Sequence, residues 1–172
     1  MWSTVSSVAY VALGANLGQR ERAVLGAARA LNAGAVRLLG LSSLYESPAL
    51  GMPGAPPFIN AVAQVASLLP PLDLLERLQA IEAKGGRTGG HWQSREIDLD
   101  LIAVGDEIVA GDRLTLPHPR FHERAFVLIP LHELTAGFVC PRTGHRIGDL
   151  VAALPVQGGL VRISWRSLAM RG

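Results

Sequence analysis

Apolar positions recur along this chain with two periods, and each period predicts its own kind of element. Val8 to Leu13 is a short apolar run that ends at Gly14-Ala15-Asn16-Leu17-Gly18, so it reads as a buried strand leading into a turn. Val24, Ala27, Ala28 and Leu31 then fall at helical spacing and predict a helix from Arg22 to Leu31. Val36 to Tyr45 is apolar and compatible with a strand. From Phe58 to Val65 the pattern alternates. Phe58, Asn60, Val62 and Gln64 share one face of the predicted strand, and Ile59, Ala61, Ala63 and Val65 share the other. Pro70-Pro71 opens a helix striped by Leu74, Leu75, Leu78 and Ile81, and Gly85-Gly86 closes it. Arg95-Glu96-Ile97-Asp98-Leu99-Asp100-Leu101-Ile102 alternates again and predicts a strand. A helix from about His122 to Leu134 and a last strand from Leu160 to Trp165 complete the set.

Strands and helices are interspersed, the turns are short and the strands alternate. An α+β fold follows, with an antiparallel or mixed sheet and helices outside. No repeat or linker divides the 172 residues, so residues 1–172 are expected to form a single domain. A hydrophobic fraction of 49% against 17% charged residues excludes a disordered chain. A net charge of +2 is too small to mark a nucleic-acid binder, and no nucleic-acid partner is expected. Lys84 is the one lysine, so any phosphate here is expected to meet guanidinium forks. Cys140 stands alone, which excludes an intrachain disulfide and a multi-cysteine zinc site. The first residues lack the cationic-then-apolar order of a secretory signal, and no apolar run approaches the ~20 residues that span a bilayer. The expectation is a cytoplasmic protein with no membrane partner.

Asp98 and Asp100 carry the most informative chemistry. On a strand they project from one face about 6–7 Å apart at roughly 3.3 Å rise per residue. Asp is disfavoured in strands and adjacent carboxylates repel, so either this is a solvated edge face or a hard cation such as Mg²⁺ neutralises the pair. Arg87, His91, Trp92 and Arg95 precede the pair, and Arg113, Thr115, His118 and Arg124 follow it. Phosphoryl-type transfer uses such a set, because its catalysis is mostly positioning and charge neutralisation. Neither G-x-x-x-x-G-K-[ST] nor G-x-G-x-x-G is present, so a nucleotide would be held by metal ions and side chains. Phe58 and Asn60, beside the Pro/Gly-rich segment from Ser47 to Pro57, offer a ring to stack on and an amide to read a heterocycle's edge.

Five segments, taken in order and spacing, resemble one family. They are Tyr10-Val11-Ala12-Leu13-Gly14-Ala15-Asn16-Leu17-Gly18, Ser42-Ser43-Leu44-Tyr45-Glu46-Ser47-Pro48-Ala49-Leu50-Gly51, Phe58-Ile59-Asn60-Ala61, Arg95-Glu96-Ile97-Asp98-Leu99-Asp100-Leu101, and Leu114-Thr115-Leu116-Pro117-His118-Pro119 with Arg124-Ala125-Phe126. From Val8 to about Val139 the chain resembles the 6-hydroxymethyl-7,8-dihydropterin pyrophosphokinases of folate biosynthesis. The resemblance implies a ferredoxin-like fold with a largely antiparallel sheet, a monomer, and transfer of pyrophosphate from MgATP to the pterin's hydroxymethyl group with release of AMP. It implies that Asp98 and Asp100 bind two Mg²⁺ ions and that Phe58 and Phe126 sandwich the pterin. Asn60 and the backbone around Ser47, Pro48 and Leu50 would read the pterin's edge. Gln79 and Glu82 would line the nucleotide site, and Arg113, Thr115, His118 and Arg124 would contact triphosphate or ribose. Arg87 and Arg95 would act with the carboxylates in catalysis, and Trp92 would help close the site over ATP.

The chain departs from the family pattern in three places. Thr88-Gly89-Gly90-His91 is short and nearly uncharged where relatives carry basic residues, Ser94 replaces a proline, and Pro119 stands where some members have tyrosine. The first departure motivates an alternative, a pterin- or nucleotide-binding relative with impaired catalysis.

Overall fold

The computed structural model describes residues 5–85, 97–155 and 159–163. Its centre is β1 (Ser7–Ala15), the apolar run expected to be buried. It pairs on one side with β4 (Phe58–Ser67) and on the other with β5 (Asp98–Val104), antiparallel in both cases. Beyond β4 lie β2 (Val36–Leu41) and β3 (Tyr45–Ser47), again antiparallel, and β3 pairs outward with β8 (Val161–Arg162). With β2 and β3 counted as one interrupted strand, the order β5-β1-β4-β2/β3 and the alternation with α1 (Arg20–Leu31) and α2 (Pro71–Lys84) give the βαββαβ pattern of a ferredoxin-like sheet. A short hairpin of β6 (Val109–Ala110) and β7 (Thr115–Leu116) lies apart from this sheet. It leads into the cis Leu116–Pro117 peptide.

Period 2 decides which layer each side chain joins. Val11 and Leu13 of β1 and Ile59, Ala61, Ala63 and Val65 of β4 bury against Val24, Ala27, Ala28 and Leu31 of α1 and Leu74 and Leu78 of α2. Tyr10, Ala12, Val62 and Ile102 point the other way. They bury with Val127, Leu128 and Leu131 of α3 (Ala125–Leu134) and Ile147 of α4 (Ile147–Ala152). Helices thus cover both faces, and each fully buried Leu, Ile or Val contributes roughly 1.5–3 kcal/mol. Among the described residues, no helix is long and apolar enough to cross a membrane.

Four boundaries differ from the sequence expectation. The strand expected over Val36 to Tyr45 is broken, because three residues, Ser42 to Leu44, stand where β4 offers fewer partners. Ser42 still binds Val62 through its N–H and its hydroxyl, but the Ser43 N–H turns away to the Glu133 carboxylate at 2.8 Å. The helix expected from His122 instead begins at Ala125. A 3-10 turn over Phe121–Glu123 precedes it, and Arg124 is extended (φ −108°, ψ 103°). The last strand is the two residues Val161–Arg162, with the expected positions from Ser164 onward outside the described residues. At the other end of the chain, α1 starts at Arg20, two residues earlier than its apolar stripe indicates.

Candidate active site

The register places the candidate residues in rows across three strands. Gly14 of β1 lies between Asn60 of β4 and Asp98 of β5, and Ala12 lies between Val62 and Asp100 in the next row. All six stand on the α3 face of the sheet, at the end where α3 begins. Phe58 is one step beyond Asn60 on that same face. A cavity of about 400 Å³ opens here, within the range of small-molecule sites. Phe58, Asn60, Asp98, Asp100, Glu82, Arg124 and Phe126 line it, with Ser47, Pro48, Leu50 and Met52 as the opposite wall.

Each wall has a local cause. Gly51 (φ +74°) and Gly54 (φ +79°) turn the chain back after β3 where other residues would be strained. The turn holds Leu50 and Met52 over the opening, where they stay largely exposed. Asn60 is buried and its amide is fixed: Nδ2 donates to the Ser47 hydroxyl at 2.9 Å and faces the Tyr45 carbonyl at 3.4 Å. Its Oδ1 is not consumed by those bonds. Glu82, at the end of α2, accepts the Leu99 N–H at 2.7 Å and so ties the helix to the first residues of β5. Its carboxylate therefore has a built role, which the helix pattern alone does not show.

The electrostatics centre on Asp100. Arg124 Nη1 lies 3.3 Å from Asp100 Oδ2, and the guanidinium also sits 5.8 Å from the centre of the Phe126 ring. A second cleft of about 260 Å³ adjoins the first and shares Asp100 with it. Leu75, Arg113, Thr115 and His118 line this cleft. Burial pushes the His118 imidazole below its usual 6.5, opposed by Asp100 and reinforced by Arg124 and Arg120. Its Nδ1 accepts the Arg120 N–H at 3.2 Å, which leaves Nε2 to carry the proton of the neutral ring. Arg113 meanwhile pairs with Glu76 at 2.8 Å on the rim.

The structure thus gathers Ser47, Pro48, Leu50, Phe58, Asn60, Glu82, Asp98, Asp100, Arg124 and Phe126 around one cavity, and Arg113, Thr115 and His118 around its neighbour. Gln79 is not brought in. It is exposed on α2 and lines neither cavity, because the last turn of the helix directs Glu82 toward β5 while Gln79 falls on the solvent side. Arg87, His91, Trp92 and Arg95 lie outside the described residues. Met52 and the floor position Gly14 also line the cavity, though neither is expected from the sequence as a site residue; Gly14 is marked in the sequence only by the turn-rich segment and the first family-like motif that contain it.

A family model described as 7,8-dihydro-6-hydroxymethylpterin-pyrophosphokinase matches residues 10–136. The chain belongs to this family. It is 39% identical over 137 residues to the 2-amino-4-hydroxy-6-hydroxymethyldihydropteridine pyrophosphokinase of Haemophilus influenzae, covering 78% of this chain and 86% of that one. With the Pseudomonas aeruginosa enzyme of the same name it shares 40% identity over 151 residues, 87% of this chain and 93% of the relative. Among solved structures, Plasmodium falciparum HPPK-DHPS, wild type with SDX-DHP, superposes with a TM-score of 0.69 at 13% identity, covering 91% of this chain and 47% of that longer one. That likeness carries the fold alone. As a pterin pyrophosphokinase, the protein transfers the pyrophosphoryl group of ATP to hydroxymethyldihydropterin in folate biosynthesis. Nothing in these matches favours a catalytically impaired relative.

Proposed function

We propose that the two adjoining cavities divide this reaction between them, with the pterin in the larger, the triphosphate in the smaller, and Asp98 and Asp100 at the junction. The observation that carries this reading is Asp100, which lines both cavities. Phe58 and Phe126 would hold the flat heterocycle between rings, while Asn60 Oδ1 and the backbone at Ser47, Pro48 and Leu50 read its edge. Arg113, Thr115, His118 and Arg124 would receive the phosphates and ribose, and Arg87, Trp92 and Arg95 would complete that half.

The donor set fits Mg²⁺. Asp98 and Asp100 present carboxylate oxygens, and among the described residues no three His, Cys, Asp or Glu side chains are grouped so that they could hold a metal ion by themselves. Mg²⁺ is ordinarily held by one or two carboxylates plus substrate phosphates, with no all-protein cage. Two such ions are proposed, and bound there they would neutralise charge on the phosphate oxygens. The pterin hydroxyl oxygen attacks the β-phosphorus, the bond from that phosphorus to the α-phosphate oxygen breaks, AMP leaves, and the hydroxyl proton passes to solvent. Arg124, already drawn to Asp100, stabilises the charge that builds on the leaving phosphate. The neutral His118 donates from Nε2 without adding to the site's cationic charge.

We further propose that residues 1–172 act as one domain, as a monomer in the cytoplasm. The test of function is a coupled assay with MgATP and 6-hydroxymethyl-7,8-dihydropterin that separates adenine nucleotides. AMP and diphosphorylated pterin are expected in equal amounts. ADP as the product, or turnover that survives removal of divalent cations, overturns the reading.

A further inference from the structure

The family match ends at residue 136, yet the chain returns to the pterin wall after it. β8 adds to the free edge of β3, with Tyr45 opposite Arg162 and Glu46 opposite Val161. The Ile163 N–H donates to the Leu44 carbonyl at 2.8 Å. Just before β8, Gly159 sits directly on the ring of Pro48. A Cβ built there would lie 2.8 Å from Pro48 Cγ and 3.1 Å from Cδ, and the backbone adopts φ +103°. β3 is therefore gripped from outside at the residues that run straight into Ser47, Pro48 and Leu50.

A second tie reaches the same strand from α3. Glu133 accepts the Ser43 N–H (2.8 Å) and the Ser43 hydroxyl (2.9 Å) at one oxygen, and the Tyr45 hydroxyl (2.7 Å) at the other. Arg162 Nε donates to the Ser43 hydroxyl at 2.9 Å and brings its guanidinium to 3.9 Å from Glu133. Glu133 stands in the last turn of α3, and Phe126 stands in the first turn of the same helix. The clamp therefore fixes the helix that carries one wall of the pterin cavity against the strand that carries the other.

We infer that the C-terminal return segment 159–163 and Glu133 are positioning elements that set the spacing between Phe126 and the Ser47–Pro48 wall, and so tune affinity for the pterin and not for ATP. This rests on the proposed pterin half of the site. Neither Gly159 nor Glu133 lines the cavity, so both act through Pro48 and β3.

The decisive variant is Gly159→Ala, tested alongside Gly144→Ala. Gly144 also has a positive φ, +72°, but open space around its would-be Cβ, so alanine there meets left-handed backbone strain without touching the wall. Pterin and nucleotide affinities are measured separately by calorimetry, and KM and kcat in the AMP assay. Gly159→Ala is expected to weaken pterin binding about tenfold, the loss that follows when about one edge-reading contact of the displaced wall is forfeited. ATP affinity and kcat should stay within about twofold, and Gly144→Ala should leave the pterin affinity unchanged. Adding Gly159→Ala to Pro48→Ala should cost little more than Pro48→Ala alone, because the ring atoms it strikes are gone. Glu133→Gln, which keeps the shape but cannot accept all three bonds, should weaken pterin binding about fivefold. A Gly159→Ala that melts earlier with both affinities intact, or that loses both equally, overturns the inference, as does full additivity with Pro48→Ala. Should Gly159→Ala fail to fold, the pterin-against-ATP split in Glu133→Gln decides alone. Wild-type protein that binds pterin but forms no AMP would count against the proposed reaction while leaving the calorimetric test of positioning intact.

Discussion

Gly14→Ala probes the floor of the proposed pterin cavity with a single methyl group. Gly14 is in the body of β1 with no positive φ, so alanine meets no backbone strain there. The new Cβ would stand 3.3 Å from Asn60 Oδ1 and 3.8 Å from Phe58 Cδ1. The second distance is ordinary contact, so the ring can stay, but the first is short and the amide must give. Asn60 has little room to do so, because Nδ2 is held by the Ser47 hydroxyl at 2.9 Å. For stability, alanine in a strand gains roughly 0.5–1 kcal/mol over glycine. Mild overpacking costs roughly 1 kcal/mol when a side chain yields. The net change in stability should therefore stay within about 1 kcal/mol. Binding should respond more strongly. An amide displaced by a few tenths of an ångström weakens the bonds it makes to the pterin's edge. Two such bonds at about 1 kcal/mol each amount to about a thirtyfold loss of affinity. Calorimetry with the pterin, and separately with MgATP, reads this directly, and a melting curve checks the fold. Unchanged pterin affinity would refute the assignment of Asn60 as the edge-reading residue. Equal losses for both ligands would instead mean that the methyl distorts the sheet.

Period 2 alone makes the two faces of β4 legible in the sequence, because a strand cannot bury Ile59 and Phe58 on the same side. The stripes of α1 and α2 are legible for the same kind of reason, and Gly85 closes α2 as its sequence indicates. The break at Ser42–Leu44 is not. It depends on Val62 and Glu133, which lie 20 and 90 residues away and leave no local mark. The start of α3 escapes the apolar pattern because Arg124 abandons helical geometry to reach Asp100, a tertiary demand that overrides propensity. For Asp98 and Asp100 the sequence allows both a solvated edge and a cation site, and β5 is indeed an end strand of the sheet's path. What supports the proposed cation site is the cavity that Phe126 and Arg124 bring against the pair from α3. The close-approach roles of Gly14 and Gly159 are not legible in the sequence for a simpler reason. A glycine kept for close approach looks like any other glycine until its neighbour across the fold is known.

Asp98→Ala and Asp100→Ala should each lower turnover by about a thousandfold, as expected for removing several kcal/mol of charge stabilisation on the phosphates. The ligand-free unfolding free energy should move by no more than about 1 kcal/mol, since the Asp100 side chain is 47% exposed and its pair with Arg124 is screened by solvent; retained activity in either variant would place the metal elsewhere. Phe126→Ala should weaken pterin binding by at least the roughly 0.5–1.5 kcal/mol of a stacked ring, with ATP binding spared; equal losses would make Phe126 a core residue. The Tyr45–Glu133 bond predicts both limbs of the stability-against-pH curve. Burial, then the bond to Glu133 and its charge, push the Tyr45 hydroxyl up to about 12. Burial raises the Glu133 carboxyl, but bonds from Tyr45 and Ser43 and the nearby Arg162 outweigh it and hold the group below the usual 4.5. A raised tyrosine keeps its full stabilising contribution below pH 10 and loses it between 10 and about 12, where the unfolded chain ionises first. A lowered carboxyl contributes fully above 4.5 and loses its contribution as pH falls through the folded value. Denaturant midpoints from about pH 3 to 12 should therefore fall at both ends, and Tyr45→Phe should flatten both limbs because it removes the proton of one and a partner of the other. An alkaline limb unchanged in Tyr45→Phe would show that this hydroxyl does not couple β3 to α3.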